Sequence, residues 1–297
     1  TGGHGLSFTS QHTRFGLIGS MDIAKVSIGG RVELDFWNIR ADANVKPRMR
    51  LAYAWISPLE GLDLLMGQQW DIFSPLNPTT NNTNASLWYN GNYGFRRPMF
   101  QVRYGLDLGA LKPAVQVGVG EAAKEPGLSI KPGNTDTTGI IANAWFGKDN
   151  MAAFPMIQAR IATGITDKFT LGVAGVHAAY GKDKDFTTSG VSVDAGLPLH
   201  KLFALKGEFA YGENLNNGNI FTLGGSGDDD NYVKNMGFWV NAISKPLDFL
   251  HVALGVAQET ILDPAPDAIE KNFTFYGDLI VPVGKYFSFA AEYQYIK

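Results

Sequence analysis

Strict alternation of polar and apolar residues is the feature of this sequence that most limits its fold. Between residues 30 and 37, Arg31, Glu33 and Asp35 share one parity, and apolar residues occupy the other. Residues 48–57 and 99–107 repeat this period of two. Because successive side chains of a β-strand point to opposite faces, the pattern predicts strands. Apolar residues recur at i+2 rather than at i+3 or i+4 in most segments, which disfavours amphipathic helices.

The alternation predicts about fourteen strands along the 297-residue chain. Their expected ranges are 7–20, 25–37, 47–57, 62–73, 97–107, 111–121, 155–165, 168–180, 188–197, 201–213, 234–245, 249–260, 272–282 and 286–296. The connections between them alternate between short turns, such as the one in SPLEGLD, and long ones, such as 74–96 and 122–154. Tight turns at one end and large loops at the other are typical of an outer-membrane barrel. A β-sandwich shows no such asymmetry.

The two strand faces fit a barrel that is apolar outside and polar inside. Aromatic residues fall near the ends of several predicted strands, as an interfacial girdle would: Trp37, Trp55, Tyr104, Tyr211, Tyr293 and Tyr295. The charged parity would then line a wet lumen. We therefore predict an all-β fold, a transmembrane antiparallel up-and-down β-barrel spanning residues 1–297 as a single domain. A soluble lipocalin-like barrel or sandwich is the alternative.

The number of strands in the closed barrel follows from where the two chain ends fall. Both lie on the long-loop side, whereas bacterial single-chain barrels usually keep their termini on the short-turn side. One further strand before Thr1 and one after Lys297, added to the fourteen predicted, would give a parent barrel of sixteen. A fourteen-stranded barrel is the alternative.

Composition excludes several other classes of protein. The net charge of −3 gives no basic field for nucleic acid, and the absence of cysteine removes disulfides, thiolate metal sites and cysteine nucleophiles. No run of eighteen apolar residues predicts a transmembrane helix. The five histidines show no metal-ligand spacing, and no GxSxG or P-loop motif is present. We therefore predict no metal, no cofactor and no enzyme activity, with a barrel lipid hydrolase as a remote alternative.

Four motifs in the first third of the chain resemble those of DcaP-like outer-membrane porins. They are QHTRFGL (11–17), GRVELDFW (30–37), MGQQWDIFSPLNPTT (66–80) and GNYGFRRPMFQVRY (91–104). Porins of this family carry Gly-Gln-x-Trp at a strand end and Tyr/Phe-Arg-Arg-Pro after the next loop. The resemblance implies a trimer of sixteen-stranded barrels in the outer membrane of a Gram-negative bacterium, admitting small and often anionic solutes.

The alternation assigns a set of charged and polar side chains to the lumen. The predicted pore-lining cations, all before residue 166, are Arg14, Arg31, Arg48, Arg50, Arg97, Arg103 and Arg160. The predicted pore-lining acids and amide are Glu33, Asp35, Gln69, Asp71, Glu208, Asp278 and Glu292, together with Asp194. An arginine-rich wall opposite a carboxylate-rich wall would create a transverse field that orients solutes. Pairing of these charges with one another is the alternative.

Arg48, Arg50, Arg97 and Arg103 are the best candidates for solute contact, because they lie on the strands flanking GQQW. By analogy with other porins, the 74–96 connection is expected to fold inward and form the constriction. Gln68 and Trp70 have the outward parity, and an outward glutamine is costly in lipid. Both are therefore predicted to face another subunit.

The sequence as a whole predicts an outer-membrane porin, a passive diffusion channel that favours small anions such as carboxylates. Its expected partners are the lipid bilayer with lipopolysaccharide, two further copies of the chain, and small polar or anionic solutes. A structural or scaffold barrel with a plugged lumen is the second hypothesis.

Overall fold

The computed structural model describes residues 13–36, 47–81, 91, 93–122, 154–165, 169–180, 186–216, 218, 220–223, 233–264 and 269–297. These residues form fourteen β-strands. In chain order the strands are β1 (Arg14–Ile23), β2 (Val26–Asp35), β3 (Arg48–Leu59), β4 (Leu62–Trp70), β5 (Arg96–Gly105), β6 (Leu111–Gly120), β7 (Phe154–Ile165), β8 (Phe169–Tyr180), β9 (Phe186–His200), β10 (Phe203–Glu213), β11 (Lys234–Leu247), β12 (Leu250–Ile261), β13 (Lys271–Val283) and β14 (Phe287–Ile296).

Each strand pairs antiparallel with the next, so a single sheet runs in the order β1 to β14. This confirms the predicted all-β, up-and-down meander. Within the described residues β1 and β14 each pair on one side only, and the sixteen-stranded parent barrel stays a prediction. The described part of the chain holds no helix long and apolar enough to cross a membrane.

The sheet carries opposite chemistry on its two faces. On β10 the outward Phe209 and Tyr211 are exposed, whereas the inward Glu208 and Ala210 are buried. Exposed apolar side chains continue around the outside on strand after strand, including Leu17, Val32, Met66, Phe100, Ile161, Val173, Val193, Val240 and Leu279. A continuous apolar outer surface of this kind matches hydrocarbon rather than water. The sheet is therefore the inside-out barrel that the alternation predicts.

A β-bulge in β3 reverses the facing of part of that strand. The register shifts between Glu33 and Leu34, so that Arg50 is an extra residue opposite them. Beyond the bulge, the ring of Trp55 covers inward-facing Gly29, where a Cβ atom would collide with it. Leu51, Tyr53 and Trp55 therefore face the interior, and the prediction that Trp55 belongs to an outward aromatic girdle is wrong. Trp37, another predicted girdle residue, lies outside the described residues.

The side-chain amide of Gln68 forms its hydrogen bonds at this bulge, within its own chain. Its Nε2 donates to the backbone carbonyl oxygens of Met49 and Arg50, each at 3.0 Å. These carbonyls lie at the bulge, where the ladder between β3 and β4 no longer extends past Ala52 and Gln68. Gln68 faces outward, as the alternation predicts. A neighbouring subunit was expected because an outward amide needs hydrogen-bond partners, but this amide already has partners in its own chain.

We expect Gln68→Ala to weaken the barrel without weakening the predicted contact between subunits. Removal of the amide leaves two backbone carbonyls unsatisfied in an apolar surround, at a cost of about 1–3 kcal/mol. Heat-modifiable gel migration should show the monomer barrel unfolding at a lower temperature, with the oligomer dissociating as before. A lower dissociation temperature in Gln68→Ala would instead support the interface role. Met66→Ala, on the same outward face, is the matched control.

Candidate functional site

Residues 71–81, called here the inner segment, leave the wall after β4 and run along the inside of the sheet. At its start the backbone of Phe73 is held on both sides. Its N–H donates to Gln158 Oε1 on β7 at 3.0 Å, and its carbonyl accepts from Ser192 Oγ on β9 at 2.7 Å. The side chain of Phe73 is fully buried. The inner segment thus begins as a packed part of the barrel interior.

Glu208 on β10 anchors the middle of the inner segment. Its carboxylate accepts from Ser74 Oγ at 2.8 Å, from the Leu76 N–H at 2.7 Å and from Trp239 Nε1 at 3.0 Å. The side chain is 4% exposed. A carboxylate with three donors around it is a fixed acceptor for the backbone of the segment rather than a surface for solute.

The far end of the inner segment reaches the last strands of the sheet. The Thr79 N–H donates to Asn241 Oδ1 on β11 at 2.9 Å, and Asn81 Nδ2 donates to Asp278 Oδ1 on β13 at 2.7 Å. Glu292 on β14 accepts from the Thr80 hydroxyl and from the Asn81 N–H. The segment therefore spans the interior from β4 to β14, held by one polar side chain after another.

An ion pair between Asp71 and Arg97 fixes the point where the chain leaves the wall. Arg97 Nη2 lies 2.8 Å from Asp71 Oδ2, and Nε donates to the other carboxylate oxygen. Asp71 also accepts from the Phe95 N–H at 2.7 Å and from Gln158 Nε2 at 2.6 Å. Both partners are almost completely buried. The hydrogen bonds that this carboxylate accepts all come from protein groups, so none is left for a solute.

A second stretch of chain, 214–223, packs beside the inner segment. Arg97 Nη2 donates to the Gly218 carbonyl at 2.8 Å, and the Gly94 N–H donates to the Ile220 carbonyl at 3.0 Å. Glu259 on β12 accepts from the Thr222 N–H and from its hydroxyl, each at 2.9 Å. This stretch is therefore tied to the chain that returns to β5 as well as to the wall.

An apolar cluster fills the space between these stretches and β7, β8 and β10. The connections contribute Phe73, Tyr93, Leu215, Ile220 and Phe221, and the wall contributes Met156 together with the smaller Ala174, Val176, Ala178 and Ala210. Burial raises the pKa of the Tyr93 phenol well above its ordinary value, so the ring packs as a neutral group. The inward alanines were the sequence signal for this cluster, because a water-filled lumen does not need small apolar residues on its wall.

Gly91 shows how closely the returning connection approaches the wall. Its φ of 102° lies in the region that favours glycine, and a Cβ atom would collide with the backbone of Phe238 and Gln258. Residues 82–90 and 92 of the predicted constriction connection lie outside the described residues.

The opposite part of the wall, on β1 to β3, carries a cluster of charged side chains. Arg48 binds Asp35 through two hydrogen bonds of 2.9 and 2.7 Å, and Arg50 bridges Glu33 at 2.6 Å and Asp35 at 3.1 Å. Arg31 lies 2.8 Å and Arg14 3.5 Å from Glu33. Four guanidinium groups thus share two carboxylates, which leaves an excess of two positive charges. We call these six residues the arginine cluster.

Three arginines of the cluster remain accessible to water. The side chains of Arg14, Arg31 and Arg48 are 45%, 40% and 33% exposed, whereas that of Arg50 is 5% exposed. A pocket of about 220 Å³ separates this wall from the inner segment. It is lined by Arg31, Leu51, Tyr53, Gln69, Trp70, Asp71, Ile72, Pro75, Gln101 and Gln116. Of the accessible arginines of the cluster, Arg31 therefore lines the space between this wall and the inner segment.

The structure corrects several of the predicted solute contacts. Arg97 is held by Asp71 and two backbone carbonyls, and Arg160 binds Asp194 through two hydrogen bonds of 2.8 and 2.7 Å. Gln69 is buried, with Nε2 3.4 Å from the Met99 carbonyl. All of these side chains face inward as expected, but protein groups occupy their hydrogen-bonding atoms. Arg103 is exposed.

The predicted wall of accessible carboxylates is likewise corrected. Asp194, Glu208 and Asp278 are each at most 4% exposed, and Glu292 binds the end of the inner segment. These acids hold backbone N–H groups and arginine rather than facing a channel. Among the described residues, the accessible charge near the inner segment is therefore mainly that of the arginine cluster, and no transverse field between two charged walls results.

Trp70 lies among arginines rather than among apolar residues. The guanidinium carbon of Arg96 is 5.0 Å and that of Arg50 is 5.8 Å from the centre of its ring. This spacing is typical of cation–π contacts. Its predicted place at a subunit interface stays a prediction.

One pair of residues bears on the hydrolase alternative. His177 Nδ1 lies 2.9 Å from Ser189 Oγ on the exposed outer face of β8 and β9. A serine nucleophile needs a third group that orients the imidazole. In the part of the chain that the structure describes, no such group contacts His177, and no group of three metal-ligating side chains occurs. The pair resembles an ordinary cross-strand hydrogen bond.

Comparison with known proteins identifies the architecture. No protein-family model matches the sequence, and no curated protein matches it. The outer-membrane channel DcaP of Acinetobacter baumannii superposes with a TM-score of 0.74 at 18% identity, covering 97% of this chain and 79% of that one. An anion-selective porin from Comamonas acidovorans gives 0.59 at 12% identity, covering 96% and 78%. Salmonella typhi OmpF gives 0.59 at 15% identity, covering 95% and 89%.

These similarities confirm, at the level of fold, the resemblance that the four sequence motifs indicate. The apolar outer face, the meander of fourteen described strands and the inward-folded segment occur together in one chain. The protein has the fold of the outer-membrane porins and is similar in structure to DcaP.

Proposed function

We propose that the protein is an outer-membrane porin through which small hydrophilic solutes diffuse passively, with a preference for anions. The observation that carries the proposal is the arginine cluster, which has three partly exposed guanidinium groups, one of which, that of Arg31, lines the pocket beside the inner segment. Charged groups that line a water-filled passage select permeating ions by sign. In this proposal the inner segment and the 74–96 connection form the constriction, and Arg103 lies further along the same passage.

The arrangement of the cluster suits carboxylates and phosphates. Guanidinium groups bind such oxyanions through paired hydrogen bonds, and Glu33 and Asp35 hold the arginines in place without neutralising them all. One of the similar structures is described as an anion-selective porin, which agrees with the proposal. We further propose that the chain forms a homotrimer in a bilayer with lipopolysaccharide, as its structural similarity to porins suggests.

Neutralising the three accessible arginines together should move ion selectivity towards cations. In Arg14→Gln/Arg31→Gln/Arg48→Gln, we expect the anion-to-cation permeability ratio to fall by about threefold or more, because the local excess of positive charge is removed. Reversal potentials in planar bilayers under a salt gradient measure this ratio.

The matched control removes three positive charges elsewhere on the chain. Lys201, Lys245 and Lys285 are exposed at the short turns, and their replacement by glutamine should change the ratio much less. An unchanged reversal potential in the arginine variant, or equal shifts in both variants, would contradict an anion filter at the arginine cluster.

A plugged barrel that serves a structural role is the second candidate function. It is favoured by the extent of packed protein inside the sheet, where the inner segment, the 214–223 stretch and the apolar cluster meet. Planar bilayers separate the two candidates directly. Stepwise conductance increments support the porin, whereas insertion without conductance supports the plugged barrel.

A further inference from the structure

Arg96, the first residue of β5, has a largely buried guanidinium group. The residue is 7% exposed, and within the described part of the chain its buried Nε and Nη1 atoms have no hydrogen-bond partner. Among the described residues its neighbours are aromatic, with ring centres at 5.0 Å for Trp70 and 5.5 Å for Phe95. The neighbouring Arg97 is saturated by comparison, with Asp71 and two backbone carbonyls as acceptors.

Burying a guanidinium group costs free energy unless a negatively charged acceptor receives its hydrogen bonds. A buried charged group without hydrogen bonds is rare in native proteins, and each instance calls for an unseen water or ion as its partner. The two rings hold the plane of the guanidinium but supply no acceptor for its N–H groups. The position is therefore built to fix an arginine whose donors stay free.

The charge around Arg96 favours an anion as that partner. Arg50, Arg48 and Arg14 lie within electrostatic range, with Asp35 as the acid among them. Both carboxylates of the arginine cluster are already bound by its own arginines. Adding Arg96 gives five guanidinium groups against two carboxylates, an excess of three positive charges on this part of the wall, from β1 to β5.

We propose that Arg96 is the primary ligand of a binding site for a single oxyanion group, the carboxylate or phosphate of a small solute. Trp70 and Phe95 hold the guanidinium, Nε and Nη1 donate to the anion, and Arg50 and Arg48 add attraction from the cluster. The proposal deepens the proposed function, since it gives the anion preference a discrete site. The binding site can nevertheless be tested separately from the porin function, because binding is measured without any conductance.

Anion binding is tested on the full-length protein purified in detergent micelles. Titration with inorganic phosphate, and separately with acetate, is followed by tryptophan fluorescence and by calorimetry at constant ionic strength. We expect saturable binding that Arg96→Gln weakens at least tenfold. The two titrations distinguish the source, since a phosphate site prefers phosphate and a carboxylate site prefers acetate. Lys201→Gln, which removes an exposed positive charge at the turn between β9 and β10, should change binding less than twofold.

Thermal stability supplies a second measurement and a check on folding. A ligand that binds only the folded barrel raises its unfolding temperature. The preferred anion should therefore stabilise the unchanged protein and Lys201→Gln, but not Arg96→Gln. Without anion, Arg96→Gln should be at least as stable as the parent, since it removes an unpaired buried charge. If Arg96→Gln does not fold, Arg96→Lys keeps the charge without the planar fork and should weaken binding severalfold.

Two results would overturn the proposal. One is equal affinity of Arg96→Gln and the unchanged protein for both anions, which would mean that water alone solvates Arg96. The other is no saturable binding of either anion to the unchanged protein. Failure of the proposed function looks different: the anion still binds at Arg96, but planar bilayers record no conductance or no anion preference.

Discussion

Asp71→Asn should destabilise the barrel more than any other single substitution considered for this chain. The carboxylate receives two hydrogen bonds from Arg97 and one each from Gln158 and the Phe95 N–H. Asparagine is neutral, and it would leave the Arg97 guanidinium buried without a counter-charge. Removing one partner of a buried pair costs about 3–5 kcal/mol. We expect a marked drop in the temperature of heat-modifiable migration and in the yield of folded protein.

The double variant Asp71→Asn/Arg97→Gln separates the ion pair from the rest of the site. With both charges gone, much of the loss should be recovered, because no unpaired charge remains buried. Asp107→Asn is the matched control, since Asp107 is exposed and accepts a single hydrogen bond from the Gly109 N–H. A loss in Asp71→Asn no greater than that in Asp107→Asn would show that the pair is dispensable.

The outcome for β2 and β3 shows how far alternation alone can predict a barrel wall. Arg31, Glu33 and Asp35 face inward as their parity predicts, and they form the centre of the arginine cluster. The same reasoning fails for Trp55, because the bulge at Arg50 reverses the parity of the residues that follow. A bulge inserts one residue and depends on pairing with the neighbouring strand. Its position is therefore not contained in the pattern of either strand alone.

The inward acids mark a different limit. Their parity predicts correctly that Glu208 and Asp278 face the interior, but the facing of a side chain does not say what occupies that space. Ser74 and Glu208 are 134 positions apart in the chain, and Asn81 and Asp278 are 197 apart. Contacts at such separations depend on how the whole sheet is arranged in space. The sequence does carry one hint, since polar residues recur inward on β7, β9, β10, β11 and β13 beside the alanines of the apolar cluster.

Arg96 was not among the residues that the sequence assigned to solute contact. Trp70, its partner in the ladder, was assigned by parity to the outward face and to a subunit interface. The two instead pack together with the Arg50 guanidinium near the end of β3. At a strand end the alternation of faces loses its meaning, because the neighbouring strand no longer continues the wall. Charge balance across the cluster, rather than periodicity, is what brings Arg96 to attention.

Glu208→Gln is the matched control for Glu208→Ala, the substitution with the largest expected effect on conductance. Glutamine keeps the shape of the side chain and one acceptor oxygen, so it can still hold part of the inner segment. We expect single-channel conductance within about twofold of the parent. Glu60→Ala, at the exposed turn between β3 and β4, removes a carboxylate that binds no part of the inner segment and should leave conductance unchanged.

Glu208→Ala should release the middle of the inner segment and enlarge the passage. The substitution removes the only described acceptor of the Leu76 N–H. It also removes the carboxylate on β10 to which Ser74 Oγ and Trp239 Nε1 donate. Each donor left unsatisfied costs about 1–3 kcal/mol, so the segment gains by moving to where water can reach it. Single-channel conductance in planar bilayers should rise, with larger fluctuations, while the proposed preference for anions should be retained. Unchanged conductance in Glu208→Ala would mean that Phe73 and Asn81 hold the segment without Glu208, and that the constriction lies elsewhere.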